Sequence, residues 1–391
     1  MYQIFRKTEA SADRSSAMEC RDHSKNTASP KSQMSRGNFL GKTCFALSNV
    51  LACVLMVAIL TACGGGSGSS IGGKSAKIKM TTEAGGDFSF YLAGSDVATV
   101  DWGDGSEKVT LTLNENGVEF KHTYPSATIR TVTVNGDNIT GLVNNSLYNK
   151  LTNLDVSRCT ELIILICKDN PLTSLDVSKN TALTMLSCDN NRLTSLDVSK
   201  NTALTRLDCN NNQLTSLDVS KNTALTELYC GRGNKLTSLD VSKNTALTKL
   251  DCSSNQLTSL NVNGATALKV LNCSNNQLTS LNVNGATALT NLNCSGNQLT
   301  SLNVSGATAL TGLECNDNKL TSLNVSEATA LTWLVCWNNQ LTVVALNALF
   351  GTLHSNTISS GKTIRITSNP GAADCDQSIA ERKGWMVRTG Y

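Results

Sequence analysis

Cysteine recurs at positions 167, 188, 209, 230, 252, 273, 294, 315 and 336, a step of 21 residues broken once by 22, where Gly231, Arg232 and Gly233 add a residue. The frame around each cysteine recurs with it. Residues 183–203 read LTMLSCDNNRLTSLDVSKNTA, and nine full units of this kind follow a degenerate one near 139–159. Each unit holds two halves, LTxLxC and LTSLDV, in which apolar and polar residues alternate. Alternation of period two is the pattern of extended backbone with one face buried. A single 21-residue copy cannot bury its leucines, so the copies must stack and share one continuous core. Successive coils are then expected at the strand-to-strand spacing of about 4.8 Å.

The pattern L-x-x-L-x-C-x-x-N-x-L is the leucine-rich-repeat signature with cysteine in one leucine slot. It resembles the bacterial internalin-like repeats, and in particular their cysteine-ladder branch. The resemblance covers more than half of the chain. It implies a mainly β leucine-rich-repeat solenoid of nine to ten coils. It further implies a cell-surface protein that binds molecules of a host or neighbouring cell.

Two ladders follow from the repeat. The nine cysteines point inward. In-register inward side chains keep parallel Cβ atoms about 4.8 Å apart, whereas a disulfide prefers about 3.8 Å with a twisted geometry. There is no CxxC pair and no histidine close in sequence to suggest a zinc site. The ladder cysteines are therefore expected to act as small buried hydrophobes; Cys159 and Cys375 lie at opposite ends and are not expected to pair. Asparagine recurs in step at 170, 191, 212, 234, 255, 276, 297, 318 and 339. Asn191, Asn212, Asn255, Asn276 and their equivalents are expected to point inward and bond the loop backbone that closes each coil.

Recognition is expected where the copies differ. The LTSLDV half barely varies, apart from a switch in which Asp176, Asp197, Asp218 and Asp240 give way to Asn261, Asn282, Asn303 and Asn324 while SKN becomes NGA, SGA or SEA. The outward positions of the LTxLxC half vary from copy to copy, and alternation places them on the concave face of a repeat horseshoe. Two places stand out as ligand-binding candidates. Trp333, Val335 and Trp337 belong to one coil and suit a sugar ring or an apolar side chain; the competing expectation is that they pack under a C-terminal cap. Arg206, Asp208, Glu227, Tyr229, Lys249 and Asp251 form a mixed-charge strip, for which an ordinary solvated polar surface is the competing expectation.

The remaining segments read as accessories. Arg36 and Lys42 precede the apolar run 50–60, VLACVLMVAIL, and then Leu60, Thr61, Ala62 and Cys63. This is a secretory signal pattern. LTAC resembles the bacterial lipobox, which implies that Cys63 becomes the lipidated first residue. A single membrane anchor is the alternative, although Ser48 and Asn49 limit the apolar length. Residues 1–63 are thus assigned to an N-terminal extension and signal peptide, with Met34 as a candidate true start, and 64–73 to a flexible Gly/Ser tether. No acidic residue follows the lipidated cysteine to mark surface export, so surface display is left open.

Residues 74–136 show six short β runs split by turns and are expected to form a β-sandwich. The run 101–106, DWGDGS, with His122, Thr123 and Tyr124 downstream, resembles the PKD-type immunoglobulin-like domain, although the order of tryptophan and aspartate differs from that family's pattern. Asp101 and Asp104 lack the alternate-position ligands of a calcium loop and are expected to form turns. The solenoid is assigned to 137–343 and an α/β cap to 344–391.

Composition narrows the function. The chain carries 33 Lys and Arg against 30 Asp and Glu, a net charge of +3 without a dense basic run. That gives no electrostatic case for nucleic acid. The three histidines, His23, His122 and His354, are far apart, and no nucleophile motif, metal cluster or phosphate loop is present. The expectation is a binding protein without a cofactor, held at the bacterial envelope, at the outer membrane, through its lipid and recognising a protein or glycan. A scaffold that docks another envelope component is the alternative, and an enzyme is the least favoured class.

Overall fold

The computed structural model describes residues 76–144, 146, 148–357 and 361–390. The expected signal run, Cys63 and the 64–73 tether lie outside the described residues. Eight strands open the described chain: β1 (Ala76–Thr82), β2 (Gly86–Gly94), β3 (Val97–Asp101), β4 (Val109–Thr112), β5 (Val118–Tyr124), β6 (Arg130–Gly136), β7 (Ile139–Val143) and β8 (Leu151–Asp155). They form one sheet in the order β4-β3-β6-β1-β8 and the start of a second in the order β5-β2-β7. Ile78, Met80, Phe88, Phe90, Phe120 and Val134 are buried in their core. Alternation along each strand is what sends these residues inward.

The turn motif serves this core. Trp102 and Tyr124 are buried, and the Tyr124 hydroxyl donates to the Trp102 carbonyl at 2.8 Å. His122 stacks on Trp102 with ring centroids 5.0 Å apart, and its Nε2 lies 2.8 Å from Asp104 Oδ2. The Asp101 carboxylate accepts from the Gly103 N–H and Asp104 from the Ser106 N–H and hydroxyl, so both close turns.

β7 and β8 lie beyond the expected boundary at 136/137 and serve both parts of the chain. β8 pairs with β1, while β7 pairs antiparallel with β2 on one side and parallel with β9 (Ile164–Ile166) on the other. A single 14-stranded sheet thereby runs from the sandwich through the repeats. The repeat strands that follow are β10 (Met185–Ser187), β11 (Arg206–Asp208), β12 (Glu227–Tyr229), β13 (Ser238–Asp240), β14 (Lys249–Asp251), β15 (Ser259–Asn261), β16 (Val270–Asn272), β17 (Asn291–Asn293), β18 (Gly312–Glu314) and β19 (Trp333–Val335). All but β13 and β15 lie in the long parallel sheet. Joining the sandwich to the first coil leaves no open core edge there.

Leucines from both halves of each unit fill the interior, and all nine ladder cysteines are fully buried free thiols. The asparagine ladder is a set of inter-coil staples. Asn212 Nδ2 donates to the carbonyls of Cys209 in its own coil (3.2 Å) and Cys188 in the preceding one (3.0 Å). Its Oδ1 accepts from the Leu193 N–H of the preceding coil at 3.0 Å. The same arrangement runs from Asn170, which accepts from the Leu151 N–H, to Asn369 in the cap, which accepts from the Leu341 N–H. The residue before most of these asparagines has positive φ: Asp169, Asn190, Asn211, Ser254, Asn275, Asp317 and Asn338, with Gly296 in the same register. Short polar residues and glycine tolerate that left-handed backbone, which explains the composition of the row.

A second buried ladder escapes the sequence pattern. Asn180, Asn201, Asn222 and Asn244, the last letters of SKN, are fully buried. Asn222 Nδ2 donates to the carbonyls of Val198 and Asn201, both at 2.9 Å, while its Oδ1 has no partner. Ala265, Ala286, Ala307 and Ala328 take this place in the later coils.

The LTSLDV halves are less regular than their alternation predicts. Only β13 and β15 pair there, with single bridges joining Asn282, Asn303 and Asn324. The Asp or Asn of each half accepts from the N–H two residues on, as Asp197 does from Ser199 at 2.8 Å. That local bond turns the chain before a ladder can extend.

The end of the chain continues the sheet. Helix α1 (Val343–Thr352) buries Leu346, Leu349 and Phe350, and the strands β20 (Lys362–Arg365) and β21 (Trp385–Arg388) add to the parallel ladder beyond β19. Between them lies a short helix, α2 (Ser378–Glu381), and Gly384 at φ +78° ends that turn. Two lysines lock the cap. Lys383 Nζ donates to the carbonyls of Gly351 (2.5 Å) and Leu353 (2.7 Å) at the C-terminal end of α1, and the buried Lys362 Nζ donates to Asn356 O (2.8 Å) and Lys383 O (2.6 Å).

The two ladders predict different responses to alanine. Asn212→Ala orphans the buried Leu193 N–H and removes both staples, and should cost about 2–4 kcal/mol. Asn222→Ala removes two bonds to carbonyls that keep their backbone partners and also removes an unpartnered oxygen, so it should cost under about 1 kcal/mol. Thermal and urea unfolding of the two variants will test this ordering.

Candidate functional site

Of the side chains that differ between copies, two rows stand across the parallel sheet, and a third, which holds Lys168, Asp189, Asn210 and Trp337, follows at the turn. In the first row the register runs Met185, Arg206, Glu227, Lys249, Val270, Asn291, Gly312, Trp333, and then Thr363 and Met386 in the cap. In the second row it runs Ser187, Asp208, Tyr229, Asp251, Asn272, Asn293, Glu314, Val335, and then Arg365 and Arg388. Parallel in-register pairing puts residues about 21 positions apart in sequence side by side.

This pairing brings the mixed-charge strip together. Glu227 is its centre. Arg206 reaches one carboxylate oxygen at 2.5 Å, Lys249 reaches the other at 2.9 Å, and the Tyr229 hydroxyl donates at 3.2 Å. The Arg206 guanidinium also lies 4.9 Å from the Tyr229 ring centroid. Burial works to raise the Glu227 carboxyl, but the Arg206 charge, the Lys249 hydrogen bond and the Lys249 charge outweigh it, and the net shift is downward. Burial also pushes the Tyr229 hydroxyl upward, with the Glu227 charge adding to it. The strip is thus a partly buried network whose charges largely satisfy one another, so it offers shape and hydrogen bonds more than net charge.

Asp208 differs from its neighbours. It is half-buried, and its Oδ1 accepts from the Asn210 N–H at 3.2 Å. Burial pushes its carboxyl up to about 7, and the Asp189 charge on the preceding coil adds to the rise. Asp251 takes the equivalent place two coils on and accepts from the Ser253 N–H at 3.0 Å.

The aromatic candidates separate. Trp333 stands 38% exposed on the sheet face, and Trp337 is half-buried at the turn that follows. Val335 does not project as expected: it is 5% exposed. The reason is that β20 extends the sheet, so Val335 lies between Glu314 and Arg365 in its row instead of at an edge. The cap leaves Trp333 accessible and lends it a cation, the Arg365 guanidinium, 5.8 Å from the ring centroid. Burial raises the Glu314 carboxyl beside it, and a hydrogen bond from Trp333 opposes the rise.

Sequence reasoning did not single out Asn272, Asn291, Asn293, Gly312 or Glu314, because each is unremarkable until register sets it beside the others. Among the described residues, hollows also occur away from this face. One lies between residues 301–305 and 322–327, and another beside Glu83, Lys150, Asp169 and Arg192. No cluster of three or more His, Cys, Asp or Glu able to hold a metal occurs among the described residues.

Comparison with known proteins agrees with this geometry. The family model for leucine-rich repeats in two copies matches residues 181–222 and 202–244. Among solved structures, the functional domain of InlJ from Listeria monocytogenes, which includes a cysteine ladder, is 36% identical with a TM-score of 0.57. The match covers 68% of this chain and 56% of that one, so the chain spans little more than half of that structure. An internalin, InlF, from the same organism is 23% identical with a TM-score of 0.50, covering 64% of this chain and 75% of that one, and it shares the fold. No curated protein matches the chain in sequence. The chain is a mainly β solenoid that carries leucine-rich repeats, with a structural match to Listeria internalins.

The state of Asp208 can be read from stability. Its carboxyl is raised from an ordinary value of 3.8 to about 7, so over that range the folded protein holds a proton that the unfolded chain releases. Stability from this group therefore falls as pH rises from about 4 to about 7. Asp208→Asn keeps the bond to Asn210 and removes the charge. It should melt above the wild type at about pH 8 and alongside it at about pH 4, as thermal scans at both values will show.

Proposed function

We propose that this protein is a lipid-anchored binding protein of the bacterial cell envelope, adhesin-like, that recognises a protein or glycan ligand on the strand face of its coils. One observation carries the reading: variation between copies is concentrated at the outward positions of the LTxLxC half, on that face and at the turn after it, while the interior repeats and the LTSLDV half barely varies. An array with an invariant interior and one varied face is the economy of a recognition scaffold. The internalin-like resemblance supports the same class, and leucine-rich-repeat domains generally bind proteins. The LTAC sequence ending at Cys63 and the Gly/Ser stretch after it support attachment by lipid and tether. Among the described residues, no helix is long and apolar enough to cross a membrane. The PKD-like sandwich acts in this reading as a spacer and as the shield for the first coil.

The test is protease treatment of intact cells, with a periplasmic protein as control. Digestion of the repeat domain while the control survives is the expected result. Cys63→Ala should in addition move the protein from the membrane to the soluble fraction. Protection in intact cells with cleavage only after lysis would end the adhesin reading and turn the search to a docking role inside the envelope.

A further inference from the structure

The strand face changes character past Lys249. From Val270 to Trp333 its two rows hold Val270, Asn272, Asn291, Asn293, Gly312 and Glu314, with one charge among them. Gly312 leaves an empty place in the first row between Asn291 and Trp333. A Cβ at this glycine would meet nothing but the end of the Asn291 side chain, 2.9 Å from Nδ2. The Asn291 amide therefore hangs over the gap from one side. Trp333 bounds it from the other, and Arg365 reaches the indole from the cap strand on the far side of β19.

The polar groups around the gap are held in place by their own bonds. Asn293 Oδ1 accepts from the Ser295 N–H and hydroxyl, and its Nδ2 donates to Glu314 Oε2 at 3.0 Å. One strand further back, Asn272 Oδ1 accepts from the Ser274 N–H and hydroxyl, and the Thr290 hydroxyl lies within reach of both Lys269 O (3.0 Å) and Asn291 Oδ1 (3.1 Å). The Asn293 amide is committed on both sides, while the Asn291 Nδ2, at the gap itself, has hydrogens to give. The gap thus presents an aromatic wall, the Asn291 amide as donor and the Glu314 carboxylate as acceptor, all on side chains anchored to strands.

The geometry points to a saccharide subsite at Gly312: an uncharged sugar ring sits against Trp333, with its hydroxyls bonded by Asn291 and Glu314. This rests on the reading of the strand face as a recognition surface. The chemistry favours a sugar over other ligands. A sugar ring carries an apolar C–H face that suits an indole, and hydroxyls that both donate and accept, as the amide and carboxylate set requires. A protein hot spot surrounds its aromatic anchor with apolar contacts that exclude water; here the indole has the Glu314 carboxylate and the Arg365 guanidinium beside it and the Asn291 amide across Gly312. An anion would meet Glu314.

The full-length protein should be screened on an array of neutral oligosaccharides of N-acetylglucosamine, galactose and mannose, with hits titrated by calorimetry and tryptophan fluorescence. Trp102 and Trp385 are buried, so a fluorescence change reports Trp333 or Trp337. The expected result is binding of at least one neutral oligosaccharide, weakened about tenfold or more by Trp333→Ala and by Gly312→Asn. Gly312→Asn places in this coil the residue that Asn291 supplies in the one before, and the φ of Gly312 is not in the left-handed range, so the variant should melt like the wild type. Absence of any neutral-oligosaccharide binding overturns the subsite, as does binding that Gly312→Asn leaves unchanged. Attachment of the protein to target cells separates the two readings. Attachment that is lost with Arg206→Ala, while the array stays blank, overturns the sugar subsite alone. Attachment and array binding that no strand-face substitution alters overturn both.

Discussion

The inter-coil asparagine bond is the constraint on which the rest depends. A coil of 21 residues closes through a loop whose backbone groups face an apolar interior, where an unpartnered N–H or carbonyl costs free energy comparable to a lost bond. The asparagine amide meets this with donors and an acceptor in one short side chain. Its donors hold the cysteine carbonyls of two coils, and its acceptor takes a leucine N–H of the coil before. Stacking in one register follows, and with it the buried leucines, the free thiols and the straight rows outside. The extra residue at Gly231–Gly233 shows how firmly the contact is kept. Arg232 and Gly233 both take positive φ, and Asn234 still donates to Cys230 O at 3.1 Å and Cys209 O at 3.0 Å.

A uniform interior frees the outside to differ. The ladder cysteines carry no chemistry in this arrangement: burial raises every one of their thiols, Cys273 and Cys336 to about 12, so none offers a thiolate at neutral pH. The first-row residues are limited mainly by their neighbours in the row, while Asp208, Asp251, Asn272 and Asn293 of the second row also accept from the N–H two residues on. Along the sheet those neighbours divide the face into a self-paired charged segment around Glu227 and an amide-rich segment around Gly312 whose one charge is Glu314, with the cap supplying Arg365 at the end.

Much of this was legible in the sequence. The six β runs before 136 became strands, and the cysteine and asparagine steps became ladders, because in each case alternation or recurrence already encodes which side is buried. The SKN asparagines were not legible. Beside serine and lysine, Asn222 reads as part of a polar loop, and only the fold shows its amide turned into the core. The fate of Val335 was equally hidden, since its burial comes from β20, a strand thirty residues later whose place in the sheet no local pattern gives. The second half of each unit has the alternation of a strand but also an Asp or Asn that bonds two residues ahead, and the local bond prevails over the ladder.

By itself, then, the sequence determined that the copies stack, which residues point in and which point out, because these follow from periodicity within a single unit. Which outward residues become neighbours was decided by the tertiary structure. Arg206, Glu227 and Lys249 are more than twenty positions apart, as are Asn291, Gly312 and Trp333. Only parallel pairing in fixed register, one strand spacing per coil, brings the first three into an ion-paired network and opens a gap among the second three.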